Sequence, residues 1–229
     1  MKAANVPLGA QTPRSGAPRS FSFALLAAAG WADAVGFLMF AQLYVSFMSG
    51  DATQLGVTAG DGKLGPAAKL LIAQAVFVLG ALLGRQLRLS TPDYSRRILL
   101  AVNAVLLALV ALLGNGILAV PAFAVAVLAM GAQNTILHTA AGVPVGSMVT
   151  GTLARLGENI CDRMNGRPAP IVENFGQWAS FVLAALAGTF AYRLAGAAAF
   201  LVPALINAFL VWPASRLPDW DPQPKTNDL

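Results

Sequence analysis

Asp33 is the residue of this sequence best placed to do chemistry, because it is an acid inside a long apolar stretch. It lies 14 residues after Arg19, which corresponds to about 20 Å of helix. A carboxylate in apolar surroundings is costly unless it is paired, hydrated or protonated. Two interpretations stay open: a proton or cation site, or a structural hydrogen bond to Asn134 or to a backbone amide of a nearby non-helical segment.

Among the amide side chains in apolar stretches, those of Asn103, Gln133, Asn134 and Asn207 are candidates for a polar role. Such residues either form a polar binding site or hydrogen-bond one helix to another, and the second role is the more common one. His138, the one histidine, follows Asn134 by about one helical turn. It can act as a proton relay, because its side chain titrates near neutral pH. The alternative is a polar residue at the membrane interface.

Two short motifs add further candidate ligand groups. A short helix is predicted after Ser49-Gly50-Asp51 and another after Thr150-Gly151. Ser49 and Thr150 are the predicted N-caps of these two helices. A helix N-terminus attracts an anion or a polar ligand group. The candidate substrate- or ion-binding residues are therefore Asp33, Ser49, Gly50, Asp51, Gln133, Asn134, Thr150 and Gly151.

Other kinds of chemistry find little support in the sequence. No Ser-His-Asp, H-E-x-x-H, Walker or dinucleotide-binding signature is present, which disfavours an enzyme or an ATP-driven pump. Histidines and cysteines are too few for a clustered metal site, with one of each in the chain. We therefore predict no catalytic residue, no metal and no cofactor. The low charge content also disfavours nucleic-acid binding.

The composition indicates the elements that must position these side chains. Hydrophobic residues make up 57% of the 229 residues and charged residues only 11%, against about 25% charged in soluble domains. This favours an all-α integral membrane protein. Six spans are predicted, at about 20–41, 67–88, 95–115, 117–140, 171–194 and 196–213. Residues 1–19 are predicted to be a disordered basic tail, residues 20–213 one transmembrane domain, and residues 214–229 a C-terminal tail.

Apolar sequence continues past the first span, from Phe21 to Met48, which is too long for one crossing. The residues from Tyr44 to Met48 are strand-like in type. We expect a bend after the first span and then a re-entrant segment, and a matching one before Thr150. Irregular backbone at membrane depth is tolerated where it is buried in protein or lines a cavity.

Basic residues predict the orientation of the spans. With six spans and the N-terminus inside, most Lys and Arg residues lie on the cytoplasmic side, as the positive-inside rule requires. Both termini are then cytoplasmic. The three basic residues left outside are Lys63, Lys69 and Arg193; those inside are Lys2, Arg14, Arg19, Arg85, Arg88, Arg96, Arg97, Arg155, Arg163, Arg167, Arg216 and Lys225.

The two halves of the chain are related by an internal repeat. A shift of 101 residues aligns Gly30-x-x-Asp33 with Gly131-x-x-Asn134 and Ser49-Gly50 with Thr150-Gly151. A shift of 104 residues aligns residues 77–84 with 181–188, and Asn103 with Asn207. Each copy, about 20–115 and about 117–213, holds three spans, so the copies enter the membrane from opposite sides. This predicts a 3+3 inverted repeat with two short re-entrant or broken helices, an architecture frequent in secondary transporters.

These motifs resemble the YoaK family of bacterial integral membrane proteins, a family catalogued as a domain of unknown function. The resemblance rests on the sequence from Gly30 to Phe37, on Met48-Ser49-Gly50-Asp51, on Gly131-Ala132-Gln133-Asn134 and on residues 149–153, and it covers roughly residues 20–213. The family pattern has Thr-Gly-Asn where this chain has Ser49-Gly50-Asp51. The resemblance implies an inner-membrane location and brings no established activity, ligand or catalytic residue.

The leading hypothesis is a small inner-membrane transporter or permease with a polar site near the membrane midplane, formed around Asp33 and Asn134. Its partners would be the lipid bilayer and an unknown small solute, with a proton coupled through Asp33 if transport is coupled. The alternatives are a non-transporting membrane scaffold or sensor and, more weakly, an intramembrane enzyme. Small residues at Gly80, Gly84 and Gly188 predict close helix packing. If Gly80 and Gly84 are exposed, they favour a homodimer.

Overall fold

The computed structural model describes residues 19–91, 93–114, 116–140 and 148–216, with only the course of the helix given for residues 19, 137–140 and 148. Within these residues the chain is helical, without a β-strand. The eight α-helices are α1 Arg19–Met39, α2 Met48–Gly60, α3 Leu64–Ser90, α4 Ser95–Leu113, α5 Ala119–Ala140, α6 Met148–Met164, α7 Ile171–Ala195 and α8 Leu201–Ala214. Two short 3-10 turns, Gly116–Leu118 and Gly196–Phe200, precede α5 and α8.

Five stretches of the described chain are long and apolar enough to cross a membrane: Ser20–Met39, Leu64–Ser90, Ser95–Leu113, Gly116–Ile136 and Ile171–Ala214. The chain is therefore a multi-pass integral membrane protein. The first four stretches correspond to the first four predicted spans. The fifth has 44 residues and contains the last two predicted spans, α7 and α8, with Gly196 between them at φ 57°.

Large apolar side chains cover the outer faces of the long helices. On α3, for example, Leu71, Ile72, Val78 and Leu82 are all exposed in the isolated protein. A soluble protein would bury such a face, whereas acyl chains solvate it without cost. These surfaces are consistent with direct contact with membrane lipid.

The long helices pack in pairs that are distant in sequence. α1 packs along α7, α3 along α5, and α4 along α8, while the shorter α2 and α6 lie against α3 and α7. The largest apolar core lies among α1, α4, α5 and the turn before α8, and includes Val35, Leu107, Val127 and Phe200.

Glycines allow two of these helix pairs to approach closely. A Cβ atom on Gly30 of α1 would overlap the carbonyl oxygen of Phe181 in α7, and one on Gly131 of α5 would overlap that of Phe77 in α3. Without a side chain the two backbones come into contact, which is a usual way for membrane helices to associate.

Gly80 and Gly84 are buried rather than exposed. The backbone of Leu128 faces Gly80, and Thr135 and Ala132 of α5 face Gly84. The condition under which these two glycines would favour a homodimer is therefore not met, and they do not support one. Gly188 lies against Trp31 of α1 in the same way.

Asn103 of α4 and Asn207 of α8 are completely buried between their helices and the core. The Nδ2 of Asn207 donates a hydrogen bond to the carbonyl oxygen of Pro203, one turn earlier, at 2.9 Å. The side-chain amide of Asn103 has no hydrogen-bond partner among the described residues. Neither side chain shows a direct hydrogen bond to the other helix in the described part of the chain.

Candidate functional site

The first helix does not run on into the apolar residues that follow it. α1 ends at Met39, and Ala41 and Gln42 take positive φ values of 55° and 69°, which are unusual for residues with a Cβ atom. The chain thereby turns back on itself, and residues 43–47 reach the start of α2 without regular structure. The predicted bend is present, and the strand-like residues from Tyr44 to Met48 form a loop and the beginning of a helix.

Asp33 binds this returning loop through its carboxylate. Its Oδ1 accepts hydrogen bonds from the backbone N–H of Val45 at 3.0 Å and of Ser46 at 2.7 Å. Its Oδ2 accepts one from the Ser46 hydroxyl at 2.6 Å. Of the structural roles considered for Asp33, the bond to backbone amides of the non-helical segment is the one present.

Asp51 binds the same loop from the other side. It lies in the first turn of α2, is completely buried, and accepts a hydrogen bond from the backbone N–H of Tyr44 at 3.2 Å. Its second oxygen has no hydrogen-bond partner among the described residues. Three consecutive backbone amides, at residues 44, 45 and 46, are thus held by two carboxylates from two helices.

The two short helices begin slightly earlier than predicted. α2 starts at Met48, its N-cap is Phe47, and no side chain caps it. Ser49 lies inside the first turn, so the prediction that it is the N-cap is wrong. α6 starts at Met148, which places Thr150 within its first turn too, rather than before it. Gly50 has the ring of Phe47 packed against it, where a side chain would not fit.

A cavity of about 270 Å³ lies beside the Asp33 carboxylate. Its walls come from α1, the returning loop, the starts of α2 and α6, and the middle of α3, α5 and α7. The polar side chains in its wall are those of Asp33, Ser46, Ser49 and Asn134. Asp33 itself is only 4% exposed, whereas Phe47 and Ser49 are exposed, so the carboxylate lies at the inner end of the cavity.

Three of the candidate site residues therefore share one cavity: Asp33, Ser49 and Asn134. The others lie elsewhere. Gln133 is buried against α1, where its Nε2 lies 3.4 Å from the carbonyl oxygen of Leu25. The lining does not include Gly50, Asp51, Thr150 or Gly151. The side chain of His138 lies outside the described residues.

Sequence reasoning missed the apolar part of the lining. Phe47, Phe77 and Phe181 all contribute to the cavity wall. Phe77 and Phe181 are aligned with each other in the predicted internal repeat, so that alignment contained the signal that could have identified them. Ser46 was also missed, because nothing in the sequence connects it with Asp33, 13 residues earlier.

The described residues hold no group of three or more His, Cys, Asp or Glu side chains arranged to bind a metal ion. The residues that line the cavity carry one carboxylate, one amide, two hydroxyls and three aromatic rings, and the cavity is partly enclosed by apolar residues. Such a mixture suits the binding of a small solute with a polar group and an apolar part.

Comparison with known proteins identifies the family. A family model described as "Protein of unknown function (DUF1275)" matches residues 21–212, and the YoaK family is a member of it. No curated protein and no solved structure matches the chain. Because the family model covers almost the whole membrane region, the chain belongs to the DUF1275 family of proteins of unknown function, as the resemblance of its motifs to YoaK proteins implies.

Proposed function

We propose that this protein is a small-solute transporter or permease of the bacterial inner membrane, and that the cavity beside Asp33 is its binding site. The observation that carries the proposal is that Asp33 and Asn134, 101 residues apart, line one cavity. Ionisable groups in membrane-spanning helices are rare and usually mark a pathway for a substrate or an ion. Transporters bind their substrates in such places, between the two halves of the fold.

The transporter would be a 3+3 inverted repeat, with about 20–115 and about 117–213 as its copies. Packing supports this relation. The pair α1–α7 becomes the pair α5–α3 when the two copies are exchanged, and the close contacts of Gly30 with Phe181 and of Gly131 with Phe77 exchange in the same way. The cavity lies between these two helix pairs, where an axis relating the copies would pass.

Six crossings are required for this arrangement. The stretch Ile171–Ala214 would be about 66 Å long as one helix, roughly twice the hydrocarbon thickness. The chain changes direction at Gly196, and α8 packs on α4 and α1. We count α7 and α8 as separate spans, so that both termini are cytoplasmic, in keeping with the distribution of Lys and Arg.

Transport would proceed by exposing the cavity alternately to the two sides of the membrane. The returning loop and the starts of α2 and α6 form the part of the wall that is not a long, well-packed helix, so we assign the movement to them. A proton could be coupled through Asp33, whose titratable neighbours among the described residues are Asp51 and Tyr44. Solute and proton would then compete for the same carboxylate.

A non-transporting scaffold or sensor is the second candidate function. It is favoured by one observation: Asp33 already accepts three hydrogen bonds from the protein, so a structural role accounts for this buried carboxylate without any solute. In a scaffold the cavity would stay closed on one side of the membrane. This difference in access separates the two functions.

Thiol labelling measures that access. Ser49 is placed in the cavity wall and is exposed, and Cys161 is the single native cysteine. In a Cys161→Ser background, Ser49→Cys should react with a membrane-impermeant thiol reagent both in intact cells and in inverted vesicles. Lys63→Cys, in the loop before α3, is the matched control and should react from one side only. Reaction of Ser49→Cys from one side alone would count against transport and favour the scaffold.

A further inference from the structure

The charge of the cavity wall is the starting point for identifying its ligand. Asp33 in the wall and Asp51 behind the same loop form no ion pair with any Lys or Arg side chain in the described part of the chain. The start of α2 offsets part of the charge of Asp51, since a helix N-terminus carries about half a positive charge. Asp33 instead receives hydrogen bonds from the backbone N–H groups of Val45 and Ser46 and from the Ser46 hydroxyl, all of which are neutral groups. A buried carboxylate that is hydrogen-bonded but has no counter-charge favours a cation beside it.

Helix starts alone would favour the opposite ligand. Met48 and Ser49 at the start of α2 and Val149 at the start of α6 line the cavity, and exposed N–H groups at such places bind anions. An anion in a cavity of this size would, however, lie close to the Asp33 carboxylate in surroundings of low polarity. A full charge at that distance outweighs the partial charges of a helix terminus.

The rest of the wall distinguishes an organic cation from a metal ion. Phe47, Phe77 and Phe181 line the cavity, and an aromatic ring attracts an ammonium group over its face. A hard metal ion instead requires about six oxygen ligands, whereas the wall supplies one carboxylate, one amide and two hydroxyls. The volume of about 270 Å³ is just below the range of ligand pockets, which starts near 300 Å³, and therefore suits a small molecule.

We propose that the cavity binds a small organic cation, a primary or quaternary ammonium compound, with its charge at Asp33 and its apolar part against Phe47, Phe77 and Phe181. This inference rests on the proposed binding site and adds the substrate class. Asn134, which also lines the cavity, would hydrogen-bond to the polar end of the solute or to its water.

Binding of simple probes tests the charge preference. Benzylammonium, benzyl alcohol and benzoate have similar sizes and carry positive, zero and negative charge, and tetraethylammonium has no hydrogen-bond donor. Calorimetric titration of the purified full chain should show binding of the two cations, at least about tenfold tighter than benzyl alcohol or benzoate. Asp33→Asn should abolish this difference. Titration of this variant with the same probes also provides the correction for their partitioning into the micelle.

Asp33→Asn is suited to this purpose because the asparagine can keep the loop in place. Its Oδ1 can still accept from Val45 and Ser46, and its Nδ2 can donate to the Ser46 hydroxyl. A second variant works in the opposite direction. Asn134→Asp adds a second carboxylate to the residues that line the cavity, and it should tighten binding of benzylammonium several-fold. The double variant D33N/N134D should recover cation binding, because the negative charge is transferred from residue 33 to residue 134 of the same cavity rather than lost.

The outcomes separate the substrate class from the transport function. Equal binding of benzyl alcohol or benzoate, unchanged cation binding in folded Asp33→Asn, or no binding of either cation would overturn the organic-cation inference. If Asp33→Asn does not fold, a failure of Asn134→Asp to tighten cation binding would overturn it equally. Two-sided labelling of Ser49→Cys is independent of the probes, so transport would stand in these cases and would fall only with one-sided labelling.

Discussion

Asp33 and Ser46 are joined by two hydrogen bonds, one from the Ser46 backbone N–H at 2.7 Å and one from its hydroxyl at 2.6 Å. The pair connects α1 with a loop that has no regular secondary structure of its own. Because both side chains also line the cavity, the bond that fixes the loop is part of the proposed binding site. Structural and functional roles of Asp33 therefore have to be separated by experiment.

Asp33→Ala and Asp33→Asn should differ strongly in stability. The alanine removes the acceptors of two backbone amides and one hydroxyl, and a buried donor without an acceptor costs about 1–3 kcal/mol. We expect the free energy of unfolding to fall by about 2–4 kcal/mol in Asp33→Ala and by less than about 1 kcal/mol in Asp33→Asn. Reversible unfolding in mixed micelles with increasing sodium dodecyl sulfate measures both.

Ser46→Ala is the control for that pair, since it removes the hydroxyl and keeps the backbone N–H. It should cost about 1 kcal/mol. If Asp33→Ala is no less stable than Asp33→Asn, the carboxylate does not hold the loop as the structure indicates.

The sequence predicted the helices and part of the site for physical reasons. Long apolar stretches between short polar breaks predict membrane helices, and the near-constant offset of the predicted repeat places Asp33 and Asn134 at equivalent positions. Their presence in one cavity agrees with that equivalence. The burial of Gly80 and Gly84 was not predictable, because a small residue allows close packing equally within a chain and between chains.

The course of the returning loop was beyond sequence reasoning. Positive φ at Ala41 and Gln42 has no local signal, since neither residue is Gly or Asn. The turn depends instead on hydrogen bonds from residues 44–46 to Asp33 and Asp51, which form only when the loop is already folded against α1 and the start of α2. For the same reason the helix start at Met48 could not be distinguished from one at Ser49.

Gly30→Ala should destabilise the protein, whereas Gly56→Ala should not. A Cβ atom on Gly30 would overlap the carbonyl oxygen of Phe181, so α1 and α7 must move apart, at a cost of about 1–3 kcal/mol. Nothing lies within 4 Å of a Cβ atom on Gly56 in α2, where alanine should gain up to about 1 kcal/mol from helix propensity. Thermal unfolding of the purified variants gives the comparison.

The same comparison in the second half tests the repeat. Gly131→Ala would overlap the carbonyl oxygen of Phe77, and Gly157→Ala would meet nothing within 4 Å. If the halves are equivalent, Gly131→Ala should lower the unfolding temperature about as much as Gly30→Ala, and Gly157→Ala should leave it unchanged. A harmless Gly131→Ala would show that the two helix pairs do not pack alike.

The native cysteine reports on topology without any substitution. Cys161 is exposed near the end of α6, which the proposed arrangement places on the cytoplasmic side. A membrane-impermeant maleimide should therefore label the wild-type protein in inverted vesicles and not in intact cells. Lys63→Cys in the Cys161→Ser background should give the reverse result. The proposed arrangement has three spans between the two positions, α3, α4 and α5. Labelling of both positions from the same side would require an even number of spans between them and contradict the inverted repeat.

Asn103→Leu should leave the stability unchanged or raise it. The buried amide of Asn103 has no hydrogen-bond partner among the described residues, so its removal loses no interaction and relieves the cost of desolvation. Asn207→Leu loses the bond to the carbonyl oxygen of Pro203 and should cost about 0.5 kcal/mol, as single bonds in membrane helices do. Leu107→Ala, one turn after Asn103 in α4, is the control for a true packing loss and should cost about 2–5 kcal/mol. A cost of more than about 1 kcal/mol for Asn103→Leu in the same unfolding assay would contradict this prediction. The amide of Asn103 would then bind a buried water or another group, and its role in joining α4 and α8 would be larger than the described contacts indicate.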